Sequence, residues 1–349
     1  MAFGLSLALS SPALALSVTD PFTGFFSFGD SLTDDGKLGQ LAPPSLEGRF
    51  SNGPTYAEII ADEFEANGHG TGNLALGGAT AGDVNLSPIL GAPLNTFQDQ
   101  INVFANALGT NTGLITGLLP APTFDPEPPT TGSNPLLSVF FGANDLFQAF
   151  AVSAANQFDE IQTAAFVGGA AFAAADAVEA GIRALNALNT TVFDDFVVVS
   201  LPDLGVTPAF LGNAGASAVT DAFNFRLTQN LLELNNDGIN VIGFDPNGIL
   251  DEIIEGVEAG EAPFGITDAT TPCRASFSDP TGPSCLDFGI DPNTLLFGDA
   301  VHPNAVAQAL LAGELSGLIE IAPVPLPATL PLFLVALGGM GIVARRRRA

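Results

Sequence analysis

Phe22-Thr23-Gly24-Phe25-Phe26-Ser27-Phe28-Gly29-Asp30-Ser31-Leu32 is an apolar run that closes in a short polar turn. A nearly unbroken apolar run of this length fits a strand buried on both faces, the habit of a parallel sheet covered by helices. A serine at the turn where such a strand hands over to a helix can present its Oγ at the top of the sheet, where a nucleophile must stand. The same residues also read as an ordinary turn or helix cap, since Asp30 and Ser31 are both good caps. The pattern then repeats along the chain. Candidate strands cover 23–28, 73–76, 136–141, 196–200 and 240–244, and helices fit 56–66, 96–108, 145–152, 159–188, 221–234 and 305–319. Such alternation predicts an α/β fold of three layers, α/β/α, around a central parallel sheet of about five strands. Residues 110–134, dense in proline and glycine, read as a surface excursion with no element of its own.

Five strands joined by crossovers suggest a flavodoxin-like order, whose ligand site lies at the carboxyl ends of the strands. The chain has 349 residues, 47% hydrophobic and 13% charged, which excludes disorder over most of its length. A formal charge of −28 repels phosphate backbones and excludes nucleic acid as a partner. Four of the nine basic residues are Arg345 to Arg348, so the body is more acidic still and poorly suited to anionic lipid. With no Trp, one Tyr and 28 Phe, phenylalanine must fill much of the core. Cys273 and Cys285 allow one disulfide and exclude a cysteine-rich zinc site. The acidic turns Asp34-Asp35-Gly36 and Asp245-Pro246-Asn247-Gly248 lack EF-hand spacing and read as solvated turns, so no metal site is expected.

Both ends carry address-like segments. Residues 1–15 are small and apolar and finish in Ala13-Leu14-Ala15, the pattern of a secretory signal, with a buried first strand as the alternative. Export favours a Cys273–Cys285 disulfide over two free thiols. Residues 328–344 form an uncharged run of 17 followed by the four arginines. That is the short limit for a membrane-spanning helix, with the arginines on the cytoplasmic side and the body outside.

Three further segments follow predicted strands. In Asn73-Leu74-Ala75-Leu76-Gly77-Gly78-Ala79 the tandem glycines either allow close packing or free a backbone N–H for an oxyanion. In Phe141-Gly142-Ala143-Asn144-Asp145 the Asn144 carboxamide could donate to the same oxyanion, or cap a helix. Asp299-Ala300-Val301-His302-Pro303 holds one of only two histidines. His302 suits a general base at neutral pH, and Asp299 could fix its tautomer. His69, between Gly68 and Gly70, reads as a solvated turn residue.

In this order the four segments resemble those of the GDSL/SGNH hydrolase family. Gly48-Arg49-Phe50-Ser51-Asn52-Gly53-Pro54, Leu201-Pro202-Asp203-Leu204-Gly205 and Phe223-Asn224, placed at the opening of the next helix, match it too, so the resemblance spans roughly residues 25–318. It implies Ser31 as nucleophile, His302 as base and Asp299 as orienter, with Ser31, Gly78 and Asn144 forming the oxyanion hole and no cofactor. Many relatives carry Trp before the aspartate of the last segment; Gly298 stands there, which implies an opened site or a looser histidine loop. The tail, Val324-Pro325-Leu326-Pro327-Ala328 followed by the apolar run and arginines, resembles the PEP-CTERM sorting signals in their VPLPA-type form. That implies a Gram-negative envelope, an exosortase-type processing enzyme, transient membrane association, and release to the periplasm, outer surface or extracellular matrix. The chain thus divides into a signal peptide (1–15), a hydrolase domain (16–322) and a sorting or transmembrane signal (323–349). The expected function is an exported esterase or lipase acting on a lipid, aryl or acylated-sugar ester. A carbohydrate O-deacetylase trimming exopolysaccharide, or a non-catalytic matrix- or surface-binding protein, are the alternatives.

Overall fold

The computed structural model describes residues 21–86, 94–109, 121–127 and 129–319, so the expected signal and sorting segments lie outside the described residues. Its sheet has six strands: β1 (Gly24–Gly29), β2 (Gly70–Asn73), β3 (Thr123–Asp125), β4 (Pro135–Phe140), β5 (Asp195–Val199) and β6 (Asn240–Phe244). Their order is β3-β2-β1-β4-β5-β6. Five of them run parallel, and β3 alone pairs antiparallel, at the edge of β2. Leaving β3 aside, the parallel strands take the flavodoxin-like order expected.

Among the described residues seven α-helices cover the sheet: α1 (Tyr56–Ala66), α2 (Phe97–Ala107), α3 (Ala143–Ala155), α4 (Glu160–Leu188), α5 (Ala214–Asn236), α6 (Asn247–Glu258) and α7 (Ala305–Ser316). α7 packs with α1 and α6, while α4 packs with α2, α3 and α5, giving the two outer layers. β1 shows why its sequence is apolar throughout. Phe25 stacks on Phe64 of α1 at 5.5 Å, whereas Phe26 and Phe28 point the other way, onto Phe104 of α2 at 5.2 and 5.4 Å. Alternate side chains therefore serve opposite layers, and burying each phenylalanine contributes about 1.5–3 kcal/mol. Helix starts follow the sequence: Thr55 and Glu58 form a capping box at α1, and Asp159 and Gln162 another at α4.

The expected boundaries need four corrections. The second strand is Gly70–Asn73, three residues before the predicted one. Leu74 and Leu76 are buried and bond to β1 through Leu74 N–H to Ser27 O (2.8 Å) and Leu76 N–H to Gly29 O (3.2 Å), which makes them look like the strand. Glycine occupies β2 for want of room, since a Cβ on Gly72 would lie 2.6 Å from the Phe124 ring. The proline-rich excursion does contain an element, β3, which makes a sixth strand. Asp245-Pro246-Asn247-Gly248 is solvated at Asp245 and Gly248 but leads into α6, whose Ile249 and Ile253 are buried four residues apart. Phe223-Asn224 lies inside α5, which begins at Ala214 behind its Asn213 cap.

Candidate active site

Ser31 follows β1 directly, in a turn that Asp30 closes by accepting from Leu32 N–H at 3.1 Å. His302 and Asp299 lie on the loop leading into α7, which is pinned where Gly298 N–H donates to His302 O at 2.8 Å. Asp299 is 4% exposed. Its Oδ1 accepts from Val301 N–H (3.0 Å), His302 N–H (2.9 Å) and His302 Nδ1 (2.8 Å), and its Oδ2 from Phe277 N–H (3.3 Å). Burial pushes the Asp299 carboxyl upward, but the His302 charge and these hydrogen bonds outweigh it and hold it below the usual carboxylate range. An ionised carboxylate only accepts, so Nδ1 carries the imidazole proton and Nε2 is left as an acceptor. Nε2 lies 2.8 Å from Ser31 Oγ. The structure thus brings together Ser31, His302 and Asp299. His69 stands at the amino end of β2, the far end of the sheet from Ser31, with its ring against Phe64 at 6.3 Å.

Asn144 bonds to Asp30, the residue before Ser31, and to Ala79, the residue after Gly78. Gly78 has φ +84° and open space where a Cβ would stand, so the backbone conformation, not crowding, calls for glycine. Among the described residues the N–H groups of Ser31 and Gly78 donate to no protein acceptor. Asn144, in the first turn of α3, differs: its Nδ2 donates to Ala79 O at 2.9 Å and to Asp30 Oδ2 at 3.2 Å, so both amide hydrogens are engaged.

The loops around Ser31 are stitched together by residues that carry no local signal in the sequence. Asp34 is fully buried, not solvated: it accepts from Gly77 N–H at 2.7 Å and from Lys37 N–H at 2.9 Å. Asp145 accepts from Ala81 and Gly82 N–H at 2.9 and 3.0 Å. Asn73 donates to Thr33 O at 2.8 Å. Burial pushes the Asp34 and Asp145 carboxyls up, and pushes Asp30 up to about 7 against the opposing Leu32 N–H bond and His302 charge. The Gly48–Pro54 segment serves the histidine loop: Phe50 lies 4.8 Å from the His302 ring, and Asn52 Oδ1 accepts from Ala305 N–H at 2.8 Å. Asn224 anchors the loop after β5 through two bonds to Leu201, 2.9 and 2.8 Å. At Gly298, where many relatives carry Trp, the Phe277 ring stands against the position a Cβ would take, 2.7 Å away. Cys273 and Cys285 are joined in a disulfide. Among the described residues no group of three or more His, Cys, Asp or Glu is placed to hold a metal.

A serine, a histidine and a buried carboxylate in hydrogen-bonded sequence at the carboxyl edge of a parallel sheet are the working parts of serine hydrolases. The chain belongs to the GDSL-like lipase/acylhydrolase family, which it matches over residues 25–315. It is 26% identical over 336 residues to an uncharacterized protein of Pseudomonas putida, covering 88% of this chain and 51% of that one. It is 36% identical over 135 residues to Esterase EstA of Pseudomonas aeruginosa, covering 36% of this chain and 19% of the esterase. It therefore spans about half, or less, of the length of these curated relatives. Among solved structures, an acetylxylan esterase from Geobacillus stearothermophilus has 15% identity and a TM-score of 0.41, with 88% of this chain and 98% of that chain covered. An extracellular lipase from Streptomyces rimosus has 16% identity and a TM-score of 0.43, with 84% and 99% covered.

Proposed function

We propose that this protein is an exported serine hydrolase that cleaves carboxylic esters through an acyl-enzyme. The observation that carries the reading is the relay Ser31 Oγ to His302 Nε2, and His302 Nδ1 to Asp299, each contact 2.8 Å. Ser31 Oγ attacks the ester carbonyl carbon while its proton passes to His302 Nε2. The oxyanion accepts from the Ser31 and Gly78 N–H groups, and from Asn144 once it yields its longer bond, that to Asp30. His302 then gives the proton to the departing alcohol oxygen, leaving the acyl group on Ser31. Water, losing its proton to His302, attacks the acyl carbon; the acid departs and Ser31 recovers its proton. Asp299, held ionised, keeps the imidazole in the required tautomer and stabilises the imidazolium between the two transfers.

An apolar cleft begins at Leu32 and Pro303, the chain neighbours of Ser31 and His302. It continues past Ile249 and Leu250 of α6 to Leu311 of α7, and its lining is apolar. Such a lining supports an acyl chain over the hydroxyls of a sugar, and so a lipid-type ester over an acetylated polysaccharide. Export and envelope sorting through residues 1–15 and 323–349, with processing by an exosortase-type enzyme, belong to the same proposal. The test is turnover of p-nitrophenyl esters of rising acyl length, with acetylated xylan alongside. We expect turnover that favours the longer acyl esters and disappears in Ser31→Ala. Equal turnover by Ser31→Ala would overturn the mechanism, and a preference for acetylated xylan would overturn the substrate class.

A further inference from the structure

His302 is held at its two nitrogens, but its ring also needs walls. One is Phe50, at 4.8 Å; the other is Phe277, at 6.1 Å, and the two phenylalanines meet edge to face at 6.4 Å. Phe277 is 1% exposed although it belongs to an irregular loop. Its backbone is fixed on both sides: its N–H donates to Asp299 Oδ2 at 3.3 Å, and its O accepts from Ala42 N–H at 2.8 Å. The loop that presents it runs beside the Asp299 segment, with Cys273 N–H on Phe297 O (3.0 Å) and Arg274 N–H on Gly298 O (3.2 Å). The Cys273–Cys285 disulfide closes that loop, and the buried Arg274 guanidinium ties it to the carbonyls of Pro43, Ser276 and Asp279. A Cβ on Gly298 would lie 2.7 Å from Phe277 Cζ, so the ring takes the space directly over the residue before Asp299.

We propose that Phe277 is a positioning residue for the proton relay, holding Asp299 through its N–H and the His302 ring through its side chain. This rests on the reading of Ser31, His302 and Asp299 as the acyl-transfer site. The ring carries no group that exchanges a proton; it restricts the imidazole to the orientation in which Nε2 meets Ser31 Oγ. Loss of that restraint slows both proton transfers while leaving ester binding alone, because the acyl cleft is lined from α6 and α7 and Phe277 is not part of its wall.

The test compares wild type, Phe277→Ala and Phe277→Leu, each checked for a wild-type circular dichroism spectrum, on one p-nitrophenyl ester. We expect kcat to fall roughly 10²-fold in Phe277→Ala, the scale of a small misplacement of a reacting group, with KM within about twofold. Phe277→Leu, which restores most of the volume, should recover kcat to within about tenfold below wild type. In proton NMR, the downfield His302 Nδ1–H signal should broaden or vanish in Phe277→Ala while the dispersed methyl signals of the core persist. If Phe277→Ala does not fold, a drop of at least threefold in kcat alone for Phe277→Leu sustains the proposal. The proposal is overturned if Phe277→Ala folds and keeps wild-type kcat with its His302 signal intact, if Phe277→Ala does not fold and Phe277→Leu stays within threefold of wild type, or if the loss appears in KM. A wild type with no Ser31-dependent turnover would instead overturn the acyl-transfer reading itself.

Discussion

Replacing Asp30 by asparagine should remove a calculable part of the pH dependence of stability. Asp30 is buried beside Ser31, and burial raises its pKa from 3.8 to about 7. A carboxyl whose folded pKa lies above its unfolded value binds its proton more tightly in the native state. Its stabilising contribution is complete below about pH 4 and is lost as the pH rises through 7. A gap of about 3 units at 1.36 kcal/mol each makes that loss about 4 kcal/mol. The Asp30→Asn side chain would be neutral at every pH and would carry no such slope. It would keep one carbonyl oxygen where Asp30 accepts from both Leu32 N–H and Asn144 Nδ2, a pH-independent deficit of about 1 kcal/mol. The variant should therefore be about 1 kcal/mol less stable than wild type at pH 4 and about 3 kcal/mol more stable at pH 8. Urea unfolding of both proteins at those two pH values and constant ionic strength measures the crossing. Asp34 and Asp145, also raised by burial, tilt both curves alike and cancel in the difference. A difference between variant and wild type that stays constant from pH 4 to pH 8 would refute the assignment of a protonated, buried Asp30.

The two histidines should separate cleanly: His302→Ala should lower kcat by several orders of magnitude, and His69→Ala should leave it within about threefold on the same ester substrate. Asn144→Ala should reduce kcat by about 10²–10³ with KM little changed, in steady-state kinetics. An effect confined to KM would make the amide a substrate contact or a clamp on Asp30 and Ala79. Cys273→Ser/Cys285→Ser should unfold in urea with a stability about 3 kcal/mol below wild type, the chain-entropy value for a loop closed by cysteines 12 apart.

The strands and candidate site positions that the sequence disclosed are those whose signal is local. β1, β4, β5 and β6 are apolar runs with buried side chains on both faces, and their ends fell within one residue of expectation. β2 and β3 were hidden because neighbours, not propensity, make them: Gly-Thr-Gly-Asn is strand only by lying between β1 and Thr123–Asp125. α6 carried a readable signal, Ile249 and Ile253 on one face, behind a Pro-Asn-Gly opening that looked like a turn. Ser31, Asn144, Asp299 and His302 each stand just past an apolar run or beside a helix start, so their segments could be picked out one by one. Their supports could not. Asp34 meets Gly77 across 43 residues and Asp145 meets Gly82 across 63, and neither carboxylate looks different from a surface one in the sequence. Phe277 is one phenylalanine among 28, and only the fold reveals that it stands over Gly298 and against His302.

The central claim is that His302 activates Ser31, and covalent labelling tests it most directly. A fluorophosphonate should modify the wild-type protein at one site, and peptide mass spectrometry should place the adduct on Ser31. His302→Ala should label far more slowly and Ser31→Ala not at all, each with a native circular dichroism spectrum. An adduct on another serine, or labelling of Ser31 at the same rate with and without His302, would contradict the account.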